Sequence, residues 1–545
     1  MKRNKYLNEA IKLILNYVQG NFDTKDKENI FNEINLICHI DISEFKAVDD
    51  YDKTYKFIQD KLGVLNENDM KKKERGVYYT PHDVVKFIFI NSIKLTFDAL
   101  NTNNLHFLDL NGIPYTKMCY EKTIFDPTCG AGEFLLYALE VKLNLLNLHS
   151  VKVNKSIIKK IIRTIYGNDL NADSVIITKL RLFLCLLDRF GIENISGISE
   201  ILNSNFETVD YINEYDLNRK FDIIVGNPPY VEDSKSNINL DVKYGNIYAN
   251  VLENACRQIN ANGVMAFIIP LSYVSTPRMA SIRKKIIGNI GEQYILNYSD
   301  RPDCLFTNVH QKLSIIICKK NQEKSVYTGN YTYWYKDERK NLFSNINVLK
   351  NNFIYENYIP KIGSEIEESI FKKIISSKDS IFDLLSKNEN GVSKLYLNMR
   401  AAFWIKSFLT PHVTGEYKCL NFKNEETKDL CNCLFNSSLF WWFWICISDC
   451  WHITKKELLD FKVPIINDYS KIKKLSKKLD KKLENTKIYV GTKQTDFEYK
   501  HKLCINEIHE IDDFIAEVYG LTEEENLYIK NINLRYRIGG GIDEK

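Results

Sequence analysis

The 545 residues are 44% hydrophobic and 12% aromatic, which marks a globular chain too long for one core, so two or three domains are expected. The 74 Lys and Arg against 70 Asp and Glu leave a formal charge of +4, which neither demands nor excludes a polyanionic partner and leaves that question to local patches. Thirteen scattered cysteines, with Cys431/Cys433 and Cys446/Cys450 the close pairs, lack the paired Cys-x-x-Cys spacing of zinc sites; they read as buried free thiols in a reducing compartment, with no metal.

The chain opens on MKRNKYLNEAIKLILNYV, which has no cleavage-site pattern, and no apolar run approaches the ~20 residues that span a bilayer. A cytoplasmic location without membrane contact is expected. Leu7, Ile11, Ile14, Leu15 and Val18 share one helical face, so residues 1–72 are predicted to form a small helical region ending in the polar linker NENDMKKKERG. From 73 to 325, IFDPTCG, TIYGNDLN, FDIIVGNPPY, GVMAFIIPLSY, EQYILNYSD and KLSIIICKK are short β-rich runs, several followed by helical patterns. That alternation predicts an α/β domain with a mostly parallel, Rossmann-like sheet and helices on both faces. Ligands in such folds lie at the carboxyl ends of strands where the sheet order reverses, which brings the turns after Phe125, Tyr166 and Val225 into one crevice. After 326 the texture becomes aromatic and irregular, and a separate domain is predicted over 326–470 with a terminal helical segment over 471–545. There KIKKLSKKLDKKLENTK sets Ile472, Leu475, Leu479 and Leu483 on one face and eight lysines elsewhere: a docked amphipathic helix, or a phosphate-contacting one.

Three motifs carry chemistry. FDPTCGAGEFL ends a strand and opens a helix, and its glycines let the backbone turn tightly beside unpaired helix N–H groups, as a cofactor loop or as a structural turn. It has neither the Lys-Ser/Thr of a phosphate loop nor three-glycine dinucleotide spacing. Asp169, at the tip of the next strand, either accepts hydrogen bonds from ribose hydroxyls or caps the helix starting near Ala172. In Asn227-Pro228-Pro229-Tyr230, the Asn side-chain carbonyl and the Pro228 backbone carbonyl are two acceptors on a stiff turn, able to take both hydrogens of one planar amine. Holding them out of plane favours the pyramidal nitrogen of the transition state, and Tyr230 can stack on the ring; the alternative is a plain turn.

Taken in order, DPTCGAGEFL, GNDLN, FDIIVGNPPY and GVMAFIIP resemble the S-adenosylmethionine-dependent DNA adenine-N6 methyltransferases of the gamma arrangement, the Eco57I/TaqI-like restriction-modification methylases. ERGVYYTPHDVVKFI (74–88) is similar to that family's first cofactor motif. The resemblance implies a class I methyltransferase sheet that binds S-adenosylmethionine through Tyr79, Thr80, Pro81, Asp126, Pro127, Cys129, Gly130 and Gly132, with Asp169 and Leu170 at its ribose. Asn205 and Phe206 would meet its adenine, Asn205 standing where the family has an acidic residue. Asn227, which also borders the cofactor, would hold a flipped-out target adenine with Pro228, Pro229 and Tyr230, and Phe306 is either the second stacking ring or core. NSSLFWWFWICISD, ELLDFKVP and IDDFIAEVYGLTEEE look like that family's recognition and terminal helical segments, implying an α+β target-recognition domain on double-stranded DNA. Arg400, Lys406, His452, Lys455 and Lys456 are its candidate DNA contacts or else solvated surface; Trp441, Trp442 and Trp444 read as core. A monomer is expected, with a cognate restriction endonuclease or defence-system protein as partner. The rival readings are a bifunctional restriction-modification enzyme, a modification subunit of a larger complex, a non-catalytic DNA-binding subunit and a protein glutamine N5-methyltransferase. Some 72 residues before the Tyr-Thr-Pro motif leave little room for a nuclease.

Overall fold

The computed structural model describes residues 5–42, 45, 52–65, 79–100, 110, 112–307, 309–344, 346–387, 393–411, 416–466, 468–492 and 497–539. The expected linker at 66–76 and the segment 74–78 before Tyr79 lie outside them. Nine strands form the central sheet: β1 (Ile124–Asp126), β2 (Ile165–Asn168), β3 (Phe206–Glu207), β4 (Phe221–Gly226), β5 (Ile259–Pro270), β6 (Glu292–Tyr298), β7 (Leu313–Lys319), β8 (Ser325–Thr332) and β9 (Leu349–Lys350). Their order is β3-β2-β1-β4-β5-β7-β6-β8-β9, parallel from β3 to β5, with β7 antiparallel between β5 and β6. This is the Rossmann-like sheet expected from the alternation, and the six expected runs are β1, β2, β4, β5, β6 and β7. Strands step away from β1 in opposite directions through β2 and β4, so the crevice opens between their carboxyl ends.

Both faces are buried, which is why these strands read as continuous apolar runs rather than alternating ones. Ile223, Val225, Val264, Ala266 and Ile268 enter one core, and Phe221, Ile224, Met265, Phe267 and Ile269 the other. The first core also takes Leu7, Ile11, Ile14, Leu15 and Val18 from helix Lys5–Asn21, so the N-terminal helices share a core with the sheet. The second takes Trp441, Trp442, Trp444, Ile472, Leu479 and Leu483. The cores therefore run across the boundaries expected at 72 and 325, and β8 and β9 continue the sheet beyond residue 325.

The later region holds a three-stranded antiparallel sheet (Ser393–Asn398, Ser407–Phe408, Tyr417–Phe422) against helices Glu425–Asn436 and Ser438–Ile447. Trp441, Trp442 and Trp444 are fully buried and donate Nε1 to Ala402 O, Glu367 Oε1 and His452 O, as core residues with one satisfied polar atom. Helix Ser470–Thr486 docks by Ile472, Leu479 and Leu483, while Lys471 and Lys478 pair outward with Glu517 and Glu510. All thirteen cysteines are free, and Cys419 alone is exposed. Among the described residues no single helix is long and apolar enough to cross a membrane.

Candidate active site

Two glycines shape the loop after β1 for different reasons. Gly132 (φ 86°) precedes helix Glu133–Leu148, and a Cβ there would lie 2.5 Å from Thr178 Cγ2, so its lack of a side chain lets helix Ala172–Ile195 approach. A Cβ on Gly130 (φ 51°) would meet nothing within 4 Å, so this position borders open space. Cys129 N donates to Asn168 O (2.8 Å) and Thr178 Oγ1 to Gly130 O (2.8 Å). Buried Arg181 braces the loop from behind, donating to Ala131 O (2.6 Å), Glu133 Oε1 (2.5 Å) and Gln59 Oε1 (3.1 Å). The N-terminal helix Tyr55–Val64 thus holds the loop through one guanidinium.

Asp169 Oδ2 accepts from Gly130 N (2.9 Å) and Oδ1 from Asn171 N (2.8 Å). It is not the helix cap: Asn171 is, accepting from Asp173 N. Half-buried Asp169 therefore joins the tips of β1 and β2, with Leu170 64% exposed beside it. Asp126 is buried and accepts from Thr128 N (3.0 Å); burial pushes its carboxyl well above the usual carboxylate range, and the charge of Asp169 adds to this. Pro127 O accepts from Asn168 Nδ2 (3.1 Å).

Asn205 lies elsewhere. It ends helix Ile198–Asn205, before β3, and its Nδ2 donates to Ile162 O (2.9 Å) and Ile165 O (3.0 Å) at the foot of β2. The ring of Phe206 packs where a Cβ on Gly167 would sit, 2.6 Å away. At the carboxyl end of β3 stand Thr208, Val209 and Asp210 instead, Val209 exchanging hydrogen bonds with the Asn168 side chain. The i, i+4, i+7 spacing of Ile198, Leu202 and Asn205 is the helical signal that separates the two assignments.

β4 ends at Gly226, and Asn227 Nδ2 donates to Thr80 Oγ1 (3.0 Å). Buried Thr80 thus serves the tetrad rather than capping helix His82–Thr96. Pro81 occupies that helix's N-cap, its carbonyl accepting from Val84 N and Val85 N. Tyr79 is half-buried beside them, and Pro228 is buried with Pro229 at its edge. Tyr230 OH donates to Ile268 O (2.9 Å), and its ring faces Phe306 at 6.5 Å between centroids with 27° between planes. That separation lies at the upper end of the ~4.5–7 Å of a direct aromatic pair. Phe306 is 1% exposed. Arg339, which sequence reasoning missed, donates Nε and Nη2 to Asp83 (2.7 and 3.0 Å) and Nη1 to Cys304 O (3.0 Å). It ties the first turn of the Thr80–Pro81 helix to the loop bearing Phe306.

Residues 163–303 match the Eco57I restriction-modification methylase family model. The matched span contains Asp169 and the Asn-Pro-Pro-Tyr turn; the glycine loop precedes it. The chain is 24% identical over 226 residues to the Type II methyltransferase M.VspI of Vibrio sp., covering 40% of this chain and 42% of that one. It is 24% identical over 396 residues to the Type I restriction enzyme MjaIX methylase subunit of Methanocaldococcus jannaschii, covering 68% and 59%. The chain thus spans about half the length of these curated relatives. In fold it is similar to the Type IIL restriction-modification enzyme MmeI, solved in complex with DNA, with a TM-score of 0.51 at 13% identity over 88% of this chain and 82% of that one.

Beyond the matched span, the five candidate DNA-contacting residues separate. Arg400 and His452 are exposed and bridged to each other, Arg400 pairing with Glu416 (3.0 Å). Lys455 is exposed over the Phe382 ring. Lys456 is not available to a phosphate: its Nζ donates to Ser275 O (2.7 Å) and Ile447 O (2.8 Å), stapling this region to the sheet domain. Lys406 is largely enclosed, and burial lowers its ammonium pKa.

Proposed function

We propose that this protein transfers a methyl group from S-adenosylmethionine to the N6 amine of an adenine rotated out of double-stranded DNA. The observation that carries this is the amide of Asn227, oriented by Thr80 and set next to a pair of near-parallel rings at the reversal point of the sheet. With Nδ2 directed to Thr80, Oδ1 is the atom of Asn227 suited to accept from the amine alongside Pro228 O. Both bonds strengthen as the nitrogen pyramidalises, so they act on the transition state more than on the ground state. Tyr230 and Phe306 offset the few kcal/mol needed to extrude the base.

Gly130, bordering open space, the Asp169 carboxylate and the exposed Leu170 fit the cofactor: a close approach, a ribose acceptor and an apolar contact. When bound, S-adenosylmethionine supplies a methyl already activated on a sulfonium, so this chain's residues need only orient the amine and exclude water. We assign the protein to the cytoplasm as a monomer acting on double-stranded DNA. The likeness to a type I methylase subunit favours one second reading, in which another chain completes sequence recognition.

The test is to incubate the purified chain with S-adenosylmethionine and DNA from a host lacking the gene, then measure N6-methyladenine by mass spectrometry and map it by long-read sequencing. Modified adenine in one sequence context is expected. Methylcytosine in its place overturns the adenine reading, and methylation that appears only with a second subunit supports the other.

A further inference from the structure

Four of the six tryptophans, Trp334, Trp441, Trp442 and Trp444, are no more than 2% exposed, and Trp404 is half-buried with Nε1 donated to Arg537 O. Trp451 is 38% exposed. It is not loose: its N donates to Asp449 Oδ1 (2.9 Å), its carbonyl accepts from Ala401 N (3.2 Å), Lys312 Nζ lies 4.0 Å from the ring centroid and Arg400 Cζ 5.8 Å. The backbone bonds and the two nearby cations hold this partly wet indole in one place.

Its place is informative. Lys312 immediately precedes β7, at the carboxyl edge of the sheet, and its carbonyl accepts from Leu271 N (2.9 Å). Leu271 follows β5, whose Ile268 carbonyl takes the Tyr230 hydroxyl, and Phe306 stands six residues before Lys312. Trp451 therefore borders the same edge as the ring pair, where the two regions of the chain meet. Local charge is balanced: Lys312 pairs with Asp300 (3.3 Å), Arg400 with Glu416, and Asp449 lies beneath the Trp451 backbone. What the patch offers is a π-face held by cations rather than a strong positive field.

We propose that Trp451 is a stacking platform for a second nucleobase of the DNA, one left unstacked when its neighbour enters the Tyr230–Phe306 slot, with Arg400 and His452 toward the adjoining sugar and phosphate. Extruding one base costs its neighbours a stacking partner, and an indole replaces it without regard to sequence. The inference rests on the DNA reading above.

The experiment measures binding of a fluorescein-labelled mixed-sequence duplex carrying one adenine–adenine mismatch, which eases extrusion. Trp451→Ala is expected to weaken binding about tenfold. Trp451→Phe should stay within about threefold, because a phenyl ring still stacks. Both variants should bind S-adenosylmethionine as the parent does. Duplex-induced quenching of indole emission should be seen in the parent and lost in Trp451→Phe. Parental affinity in Trp451→Ala, or quenching that survives in Trp451→Phe, overturns the assignment of Trp451 alone. A parent chain that binds no duplex overturns the DNA reading with it.

Discussion

At the carboxyl edge of the central sheet, polar side chains hold backbone turns so that a crevice stays open; after residue 350, the same kinds of side chain close an interior. Asp169 pins Gly130 N and Thr80 receives the Asn227 amide, so these side chains brace the turns that border the crevice. By contrast Lys361 donates to Ser448 O (2.7 Å), Lys456 to two carbonyls, and the buried His501 ring pairs with Asn436 Oδ1 (3.1 Å). The difference teaches that a cation in the sequence is ambiguous, whereas a glycine at positive φ or a pair of prolines fixes the local backbone. The first can be a staple or a contact; the second is built for one geometry.

The largest expected effect breaks the outward-facing side. Asn227→Ala removes one of the two proposed amine acceptors, and methyl transfer should fall by about a thousandfold or more, since such acceptors act on the transition state. Cofactor affinity by calorimetry should stay within about threefold. Retained transfer would return the tetrad to a rigid turn. Next in size is Asp169→Ala, expected to weaken S-adenosylmethionine binding about a hundredfold, the worth of charge-assisted hydrogen bonds to ribose. Unchanged affinity would leave Asp169 with only the role the structure displays, a link between the Gly130 and Asn171 amides.

The inward-facing side gives a different signature. Lys456→Ala strips donors from Ser275 O and Ile447 O, and should cost about 2 kcal/mol of unfolding free energy in urea titration. The salt dependence of DNA binding should stay unchanged, because no phosphate contact is lost. A shallower salt slope in this variant would restore Lys456 to the DNA-binding set and blur the contrast between the regions.

How much could be read beforehand follows the same division. The sheet runs, the glycine loop and the tetrad were legible because each forces a residue type: apolar runs buried on both faces, Gly where φ is positive, Pro where a turn must be stiff. Asn205 was misplaced because a short motif match outweighed the helical spacing of Ile198 and Leu202. The Asn227–Thr80 and Arg339–Asp83 bonds join residues 147 and 256 positions apart, and nothing local in a sequence encodes such pairings. Lys406 and Lys456 look the same in sequence as the exposed Lys455, and only the packed structure separates them.

His501 gives the smallest expected effect and tests the closed interior directly. Burial lowers its pKa to about 3, with the nearby charge of Lys406 acting in the same direction and that of Arg537 adding less. The unfolded chain takes up the proton near pH 6.5 while the folded chain stays neutral down to about pH 3, so the unfolded state binds more protons throughout that window. Stability is therefore lost as pH falls below about 6.5, by about 1 kcal/mol between pH 7 and pH 5.5 from this group. His501→Gln, which keeps a polar partner for Asn436 but cannot titrate, should flatten that part of the stability-against-pH curve in urea titrations. His509, lowered more weakly by half-burial, would supply the residual slope. An unchanged curve in His501→Gln would mean that water reaches the ring at pH 5.5, and that the C-terminal interior is no more closed than the crevice it was contrasted with.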